Sequence, residues 1–114
     1  MHTTIPTLWS EAVRLPALVV GDLTLDQRTR EARRAGVEIK LSPTEFELLR
    51  LLMHHPGRVL SKALILHRVW AYDFAGQGNV VELYISYLRR KIDARRPPMI
   101  HTVRGVGYTI RPAG

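Results

Sequence analysis

NVVELYISYLRRKI, residues 79–92, runs through DARRPPM, residues 93–99, into IHTVRGVGYTI, residues 100–110. Asn79 can cap a helix spanning 79–93, with Glu82 three residues later in the capping-box position. At about 100° per residue, Val81, Tyr84, Ile85, Leu88 and Ile92 gather on one side. Asn79, Leu83, Ser86, Tyr87 and Arg90 gather on the other. Pro97 and Pro98 end this region, and Ile100–Val103 and 108–110 then read as two strands. Arg104-Gly105-Val106-Gly107 between them reads as a tight turn. The outcome is a helix with a single apolar stripe, followed by a hairpin with an arginine at its tip.

Upstream the pattern is equally orderly. Ser42 can cap a helix that has Pro43 at its first position and Glu45 completing an S-x-x-E capping box. Phe46, Leu49, Leu52 and Met53 recur at helical spacing, and His54 and His55 fall in the last turn before Pro56-Gly57. A short strand fits 58–60. Ser61 can cap a second helix with Ile65, Leu66, Val69 and Trp70 inward. The aperiodic stretch Ala71, Tyr72, Asp73, Phe74, Ala75, Gly76, Gln77 and Gly78 reads as a loop. From Leu18 onward, Leu23 and Leu25 alternate with Thr24 and Asp26, and Val37, Ile39 and Leu41 alternate with Glu38 and Lys40. Gly36 fits the turn between strands at 31–35 and 37–41. The strand holding Ala32 is the weak one, because Arg33 and Arg34 make it polar. Residues 1–16 lack periodicity and read as a flexible arm or linker, leaving 17–114 as one domain.

Composition narrows the function. The 114 residues carry 17 Lys+Arg against 10 Asp+Glu, a net charge of +7, with 46% hydrophobic residues and no cysteine. Residues 83–114 hold seven of the basic side chains against Asp93 alone, which suits a polyanionic partner. No apolar run reaches the roughly 18 residues of a membrane span, and no signal-peptide stretch opens the chain. Cytoplasmic placement follows as the expectation. The histidines at 2, 54, 55, 67 and 101 show no metal-binding spacing, and no nucleophile elbow is present. Gly105-x-Gly107 is half of a dinucleotide fingerprint with no room for the helix that must follow it. Neither an enzyme nor a cofactor, metal or small-molecule ligand is expected.

The outward face of the 79–93 helix differs from an ordinary solvated face. Asn79, Leu83, Ser86, Tyr87 and Arg90 form it, with Glu82 and Arg89 on the flanks. Amides and arginines hydrogen-bond base edges in a major groove, and apolar groups touch thymine methyls. Arg104, beside glycines at the hairpin turn, can project into a minor groove. Lys91, Arg95 and Arg96 lie between, placed for phosphates. The rival reading is a protein-interaction module using Leu64, Leu83 and Tyr87 as an apolar patch. RNA recognition fits poorly without exposed stacking platforms.

Four motifs carry a resemblance: Leu41-Ser42-Pro43-Thr44-Glu45-Phe46-Glu47-Leu48-Leu49, Val69-Trp70, Asn79-Val80-Val81-Glu82 running into Tyr87-Leu88-Arg89-Arg90-Lys91-Ile92, and Thr102-Val103-Arg104-Gly105-Val106-Gly107-Tyr108. In order and spacing, residues 18 to 111 resemble the OmpR/PhoB-type winged helix-turn-helix effector domain of bacterial two-component response regulators. The resemblance implies an α+β fold with an N-terminal antiparallel four-stranded sheet, three helices and a C-terminal β-hairpin wing. It implies double-stranded DNA as partner, bound at direct repeats by head-to-tail dimers. The 79–93 helix would be the recognition helix, with Asn79, Val80, Leu83, Ser86, Tyr87 and Arg90 nearest the bases and Arg104 in the minor groove. Trp70, Arg89 and Thr102 would contact the DNA backbone, and loop 71–78 would face RNA polymerase.

Departures from the pattern carry expectations of their own. The 114 residues leave no room for a receiver domain with its phosphoacceptor. Leu64 stands where the family usually has a polar residue, which suggests an exposed apolar side chain at a subunit contact. Ala32 replaces a larger apolar residue and suggests a thin core beneath the sheet.

Overall fold

The computed structural model describes residues 16–70 and 79–113. Four short strands come first: β1 (Leu18–Val20), β2 (Leu23–Asp26), β3 (Glu31–Arg34) and β4 (Val37–Ile39). They form an antiparallel sheet in sequential order, with Leu18 opposite Leu25, Leu25 opposite Ala32, and Ala32 opposite Ile39. Leu23, Leu25 and Ala32 are buried on one face, the period-2 burial that the alternation predicts.

The β3–β4 turn has two residues, Ala35 at φ 52° and Gly36 at φ 81°. Two consecutive left-handed residues make the primed turn that matches strand twist. Gly36 meets this demand at no steric cost and Ala35 does not. Ala35→Asn is therefore expected to stabilise the domain by about 0.5–1 kcal/mol, since asparagine tolerates the left-handed region better than alanine. The check is a rise in the urea midpoint at constant slope, and a fall would show that Ala35 carries no strain.

Helix α1 (Pro43–Met53) starts as its sequence requires. Ser42 Oγ accepts from Glu45 N at 3.2 Å, and Ser42 N donates to Glu45 Oε1 at 2.9 Å. Phe46, Leu48, Leu49, Leu52 and Met53 are buried along its inner face. Helix α2 (Lys62–Ile65) is capped by Ser61 Oγ, which accepts from Leu64 N at 3.0 Å. Only its first turn is α-helical, because residues Leu66–Trp70 continue it as a π-helical turn. The helix expected after Ser61 is thus present, with its second half wound as a π turn. A π turn offsets Trp70 from ordinary α-helical phase, and its ring lands in the core.

The expectation of an exposed Leu64 is corrected in part: its side chain is partly buried and packed on the core. Helix α3 (Asn79–Ile92) buries Val81, Ile85, Leu88 and Ile92, four of the five residues placed on its apolar stripe. Tyr84, the fifth, is partly buried and packs beside that core.

A second sheet closes the fold. Strand β5 (Leu60–Ser61) pairs with β7 (Gly107–Ile110), which pairs with β6 (Ile100–Val103), all antiparallel. The strand expected at 58–60 thus begins two residues later and is only two residues long, because pairing with Gly107 and Tyr108 defines it. Loop 71–78 and residues 1–15 of the arm lie outside the described residues. Among the described residues, no helix is long and apolar enough to cross a membrane.

The polar character assigned to β3 is half right. Arg33 is exposed, but Arg34 shares the inward face with Ala32 and is only 1% exposed. Its Nε donates to Asp22 Oδ1 (3.1 Å), Nη1 to Ile92 O (2.8 Å) and Asp93 Oδ1 (3.3 Å), and Nη2 to Pro97 O (2.7 Å). One guanidinium joins the N-terminal sheet to the C-terminal end of α3 and to the segment that leads into β6. A second tie runs from α3 to α1. Lys91 Nζ donates to Glu45 Oε1 at 2.6 Å and to Lys40 O at 2.9 Å. Burial pushes the Glu45 carboxyl up, yet the bonds from Lys91 and Ser42 outweigh it and hold it below the usual range.

Candidate nucleic-acid interface

Helix α3 is anchored through its buried stripe and at its C-terminal end by Arg34, so its opposite face is presented rigidly. Asn79, Glu82, Leu83, Ser86 and Arg90 are exposed on it. Leu83 is 46% exposed, unusually high for a leucine on a packed helix. Tyr87 is half-buried. Its ring meets Tyr84 edge-on at 5.2 Å, Tyr84 in turn meets Trp70 at 5.3 Å, and the Arg90 guanidinium stands 5.8 Å from the Tyr87 ring. This aromatic row ties the exposed face to the core. Val80 is partly buried against the core and Trp70 is buried, so these two reach the surface less than the sequence pattern suggested.

Glu82 is spent on a neighbour. Lys62 Nζ donates to its Oε2 at 2.7 Å, from the start of α2 to the first turn of α3. The hydrogen bond raises the Lys62 ammonium and lowers the Glu82 carboxyl from their ordinary values, so both stay charged at neutral pH. Lys62 escaped the sequence reading, because nothing in the spacing of residues 62 and 82 signals that they meet. The pair masks a carboxylate on a face that otherwise has no negative charge.

The hairpin β6–β7 carries the second half of the site. Gly105 takes φ 74° at its tip, Val106 N donates to Val103 O at 2.9 Å, and Arg104 projects exposed beside them. Val106 is 56% exposed. A groove runs between the start of α2, the first turn of α3 and this hairpin, lined by Lys62, Glu82, Thr102, Arg104, Val106 and Tyr108. Thr102 and Arg89, expected at the DNA backbone, are brought together: Arg89 Nη2 donates to Thr102 Oγ1, and Arg89 Nε donates to Ile100 O at 3.2 Å.

Of the basic residues expected at phosphates, Arg95 is exposed and Arg96 half-buried, but Lys91 is committed to Glu45 and Lys40. Its ammonium would have to leave or share these acceptors to meet a phosphate. Asp93, the lone acid of this region, accepts from Met99 N and Ile100 N, and so shapes the path from α3 into the hairpin. Among the described residues, no cluster of His, Asp or Glu could hold a metal.

Comparison with known proteins agrees with this architecture. Residues 36–110 match the family model described as "Transcriptional regulatory protein, C terminal". The chain is 65% identical over 96 residues to the probable transcriptional regulatory protein TcrX of Mycobacterium tuberculosis, covering 84% of this chain and 41% of the relative. It is 66% identical over 96 residues to the transcriptional regulatory protein TrcR of the same species, covering 84% of this chain and 37% of that one. The chain therefore spans about two fifths of the length of these relatives. The DNA-binding domain of Klebsiella pneumoniae RstA, solved in complex with the RstA box, superposes with a TM-score of 0.76 at 30% identity, covering 86% of this chain and 99% of that one. The DNA-binding domain of CpxR from E. coli superposes with a TM-score of 0.75 at 33% identity, covering 88% and 100%. The two mycobacterial relatives are named as transcriptional regulatory proteins and the two solved structures as DNA-binding domains. With the four-stranded sheet, three helices and C-terminal hairpin in the expected order, the chain belongs to the OmpR/PhoB-type family of winged helix-turn-helix DNA-binding domains.

Proposed function

We propose that residues 17–114 bind duplex DNA sequence-specifically as the effector domain of a cytoplasmic response regulator, with 1–16 as an arm. Helix α3 enters the major groove and Arg104 the minor groove. The supporting observation is the groove beside the hairpin: Glu82 in the first turn of α3 and the arginine-tipped hairpin line one concavity, with the Glu82 charge already masked by Lys62. Asn79, Ser86 and Arg90 supply hydrogen bonds to bases, Leu83 supplies apolar contact, and Thr102 and Arg89 face the backbone. Trp70, Val80 and Tyr87 support this surface from beneath and reach it at their edges. Direct repeats bound by head-to-tail dimers, and loop 71–78 as the side facing RNA polymerase, complete the reading.

Fluorescence anisotropy with a labelled random duplex, titrated from low to physiological salt, tests it. Four to six phosphate contacts give a log–log slope of roughly −4 to −5. A flat, weak response would favour the protein-interaction alternative carried by Leu64, Leu83 and Tyr87. On a selected operator, Arg90→Ala is expected to cost roughly 1–3 kcal/mol and to relax preference at one position. Equal loss on operator and random DNA would reduce Arg90 to a phosphate contact.

A further inference from the structure

Within helix α3, Arg89 is the side chain that hydrogen-bonds strand β6. Strand β6 is an edge strand, since β5 pairs only with β7. A two-stranded hairpin is marginal on its own, so its angle depends on what holds it. Its base is fixed by buried Ile100, Tyr108 and Ile110. Beyond that base, Arg89 grips β6 at two points two residues apart, Ile100 O and Thr102 Oγ1, while its guanidinium lies 5.9 Å from the Tyr108 ring. A planar fork fixing two acceptors constrains direction as well as distance. Arg104 follows Thr102 by two residues, and Arg90 follows Arg89 by one.

Resting on the DNA-binding reading above, we propose that Arg89 is a positioning residue. It sets the angle of the hairpin relative to α3, and so determines whether Arg104 reaches the minor groove while Arg90 and Ser86 occupy the adjacent major groove. Its effect on recognition is then exerted through Arg104, beyond any phosphate it touches. Lysine cannot replace it, because one ammonium on a flexible stem does not hold two acceptors in a fixed plane.

The test is a ratio of affinities. Two duplexes share one selected core and differ only in flank, a stiff A-tract with a narrow minor groove against mixed sequence. The wild-type domain prefers the A-tract flank, and Arg104→Ala loses that preference. Arg89→Lys is expected to lose it to the same extent, and Arg89→Lys combined with Arg104→Ala to lose no more than either alone. Thr102→Val, which keeps the β-branched shape and removes only the acceptor, is expected to reduce the ratio in the same direction and guards against a misfolded Arg89 variant. Loss of affinity equal on both flanks, with the ratio kept in Arg89→Lys and Thr102→Val, would overturn the proposal and leave Arg89 a phosphate contact. A wild-type domain that binds duplex DNA without flank preference overturns the placement of Arg104, and this proposal with it. A wild-type domain that does not bind duplex DNA at all overturns the DNA reading itself.

Discussion

Gly107→Ala is expected to destabilise the domain by roughly 3 kcal/mol or more, the upper range for overpacking a closed site. A Cβ built on Gly107 lies 1.9 Å from Leu60 O, 2.7 Å from Leu60 C and 2.9 Å from Ser61 Cα. All three are backbone atoms, so no rotamer change can relieve the clash. Strand β5 must leave β7, and the pairs Leu60↔Tyr108 and Ser61↔Gly107 go with it. Ser61 is also the cap of α2, so the damage spreads from the hairpin to the helix that precedes α3. For a domain of this size the loss corresponds to a fall in Tm on the order of 10–15 °C. Gly105, two residues away, gives the contrast. It adopts φ 74°, but a Cβ placed there would have nothing within 4 Å. Gly105→Asn is therefore expected to stay within about 1 kcal/mol of wild type, because asparagine tolerates the left-handed region. Equal effects at the two positions would mean that close approach to Leu60 is not what requires glycine at 107.

This pair of glycines also shows how much the sequence could carry. Elements defined by local signals were legible: the Ser42 and Ser61 caps, the buried stripe of α3, Gly36 in its turn and the β6–β7 hairpin all rest on spacing or on residue chemistry within a few positions. Elements defined by distant partners were not. Strand β5 is two residues long and exists because Gly107 admits its backbone, a fact separated by more than forty positions in the chain. Arg34 read as a solvent-facing charge because alternation places it on the buried face only if arginine is allowed there. Its partners Ile92, Asp93 and Pro97 are remote in sequence. The bonds of Lys91 to Glu45 on α1 and to Lys40 O beside β4 were hidden for the same reason. The basic residues of the final third thus divide into two sets, and charge counting cannot separate them. Lys91 and Arg89 hold the frame together, while Arg90, Arg95 and Arg104 project from it.

Arg34→Met should cost roughly 3–5 kcal/mol, the range for breaking a buried charge network by removing one partner. The side chain is 2% exposed and makes four hydrogen bonds, so nothing but the protein solvates it. Its acceptors are not equal. Asp22 is 45% exposed and rehydrates when released, so that pair contributes little. Asp93 is nearly buried and keeps its bonds from Met99 N and Ile100 N. The loss therefore falls mainly on Ile92 O and Pro97 O. Ile92 O is one of the carbonyls that the end of α3 leaves without a helical partner, and a cation there also opposes the negative end of the helix dipole. Arg34→Lys keeps the charge but can reach only some of these acceptors, so an intermediate loss is expected. Chemical denaturation gives the magnitude, and amide exchange gives the location. Protection should fall first in the last turn of α3 and at Met99 and Ile100, before the first turn of α1. Arg90 sits in that last turn, so on the proposed DNA-binding reading a loosened end is expected to blur base discrimination more than it weakens non-specific binding. If Arg34→Met unfolds within about 1 kcal/mol of wild type, the site must repack around the methionine, and the end of α3 is held by its buried stripe alone.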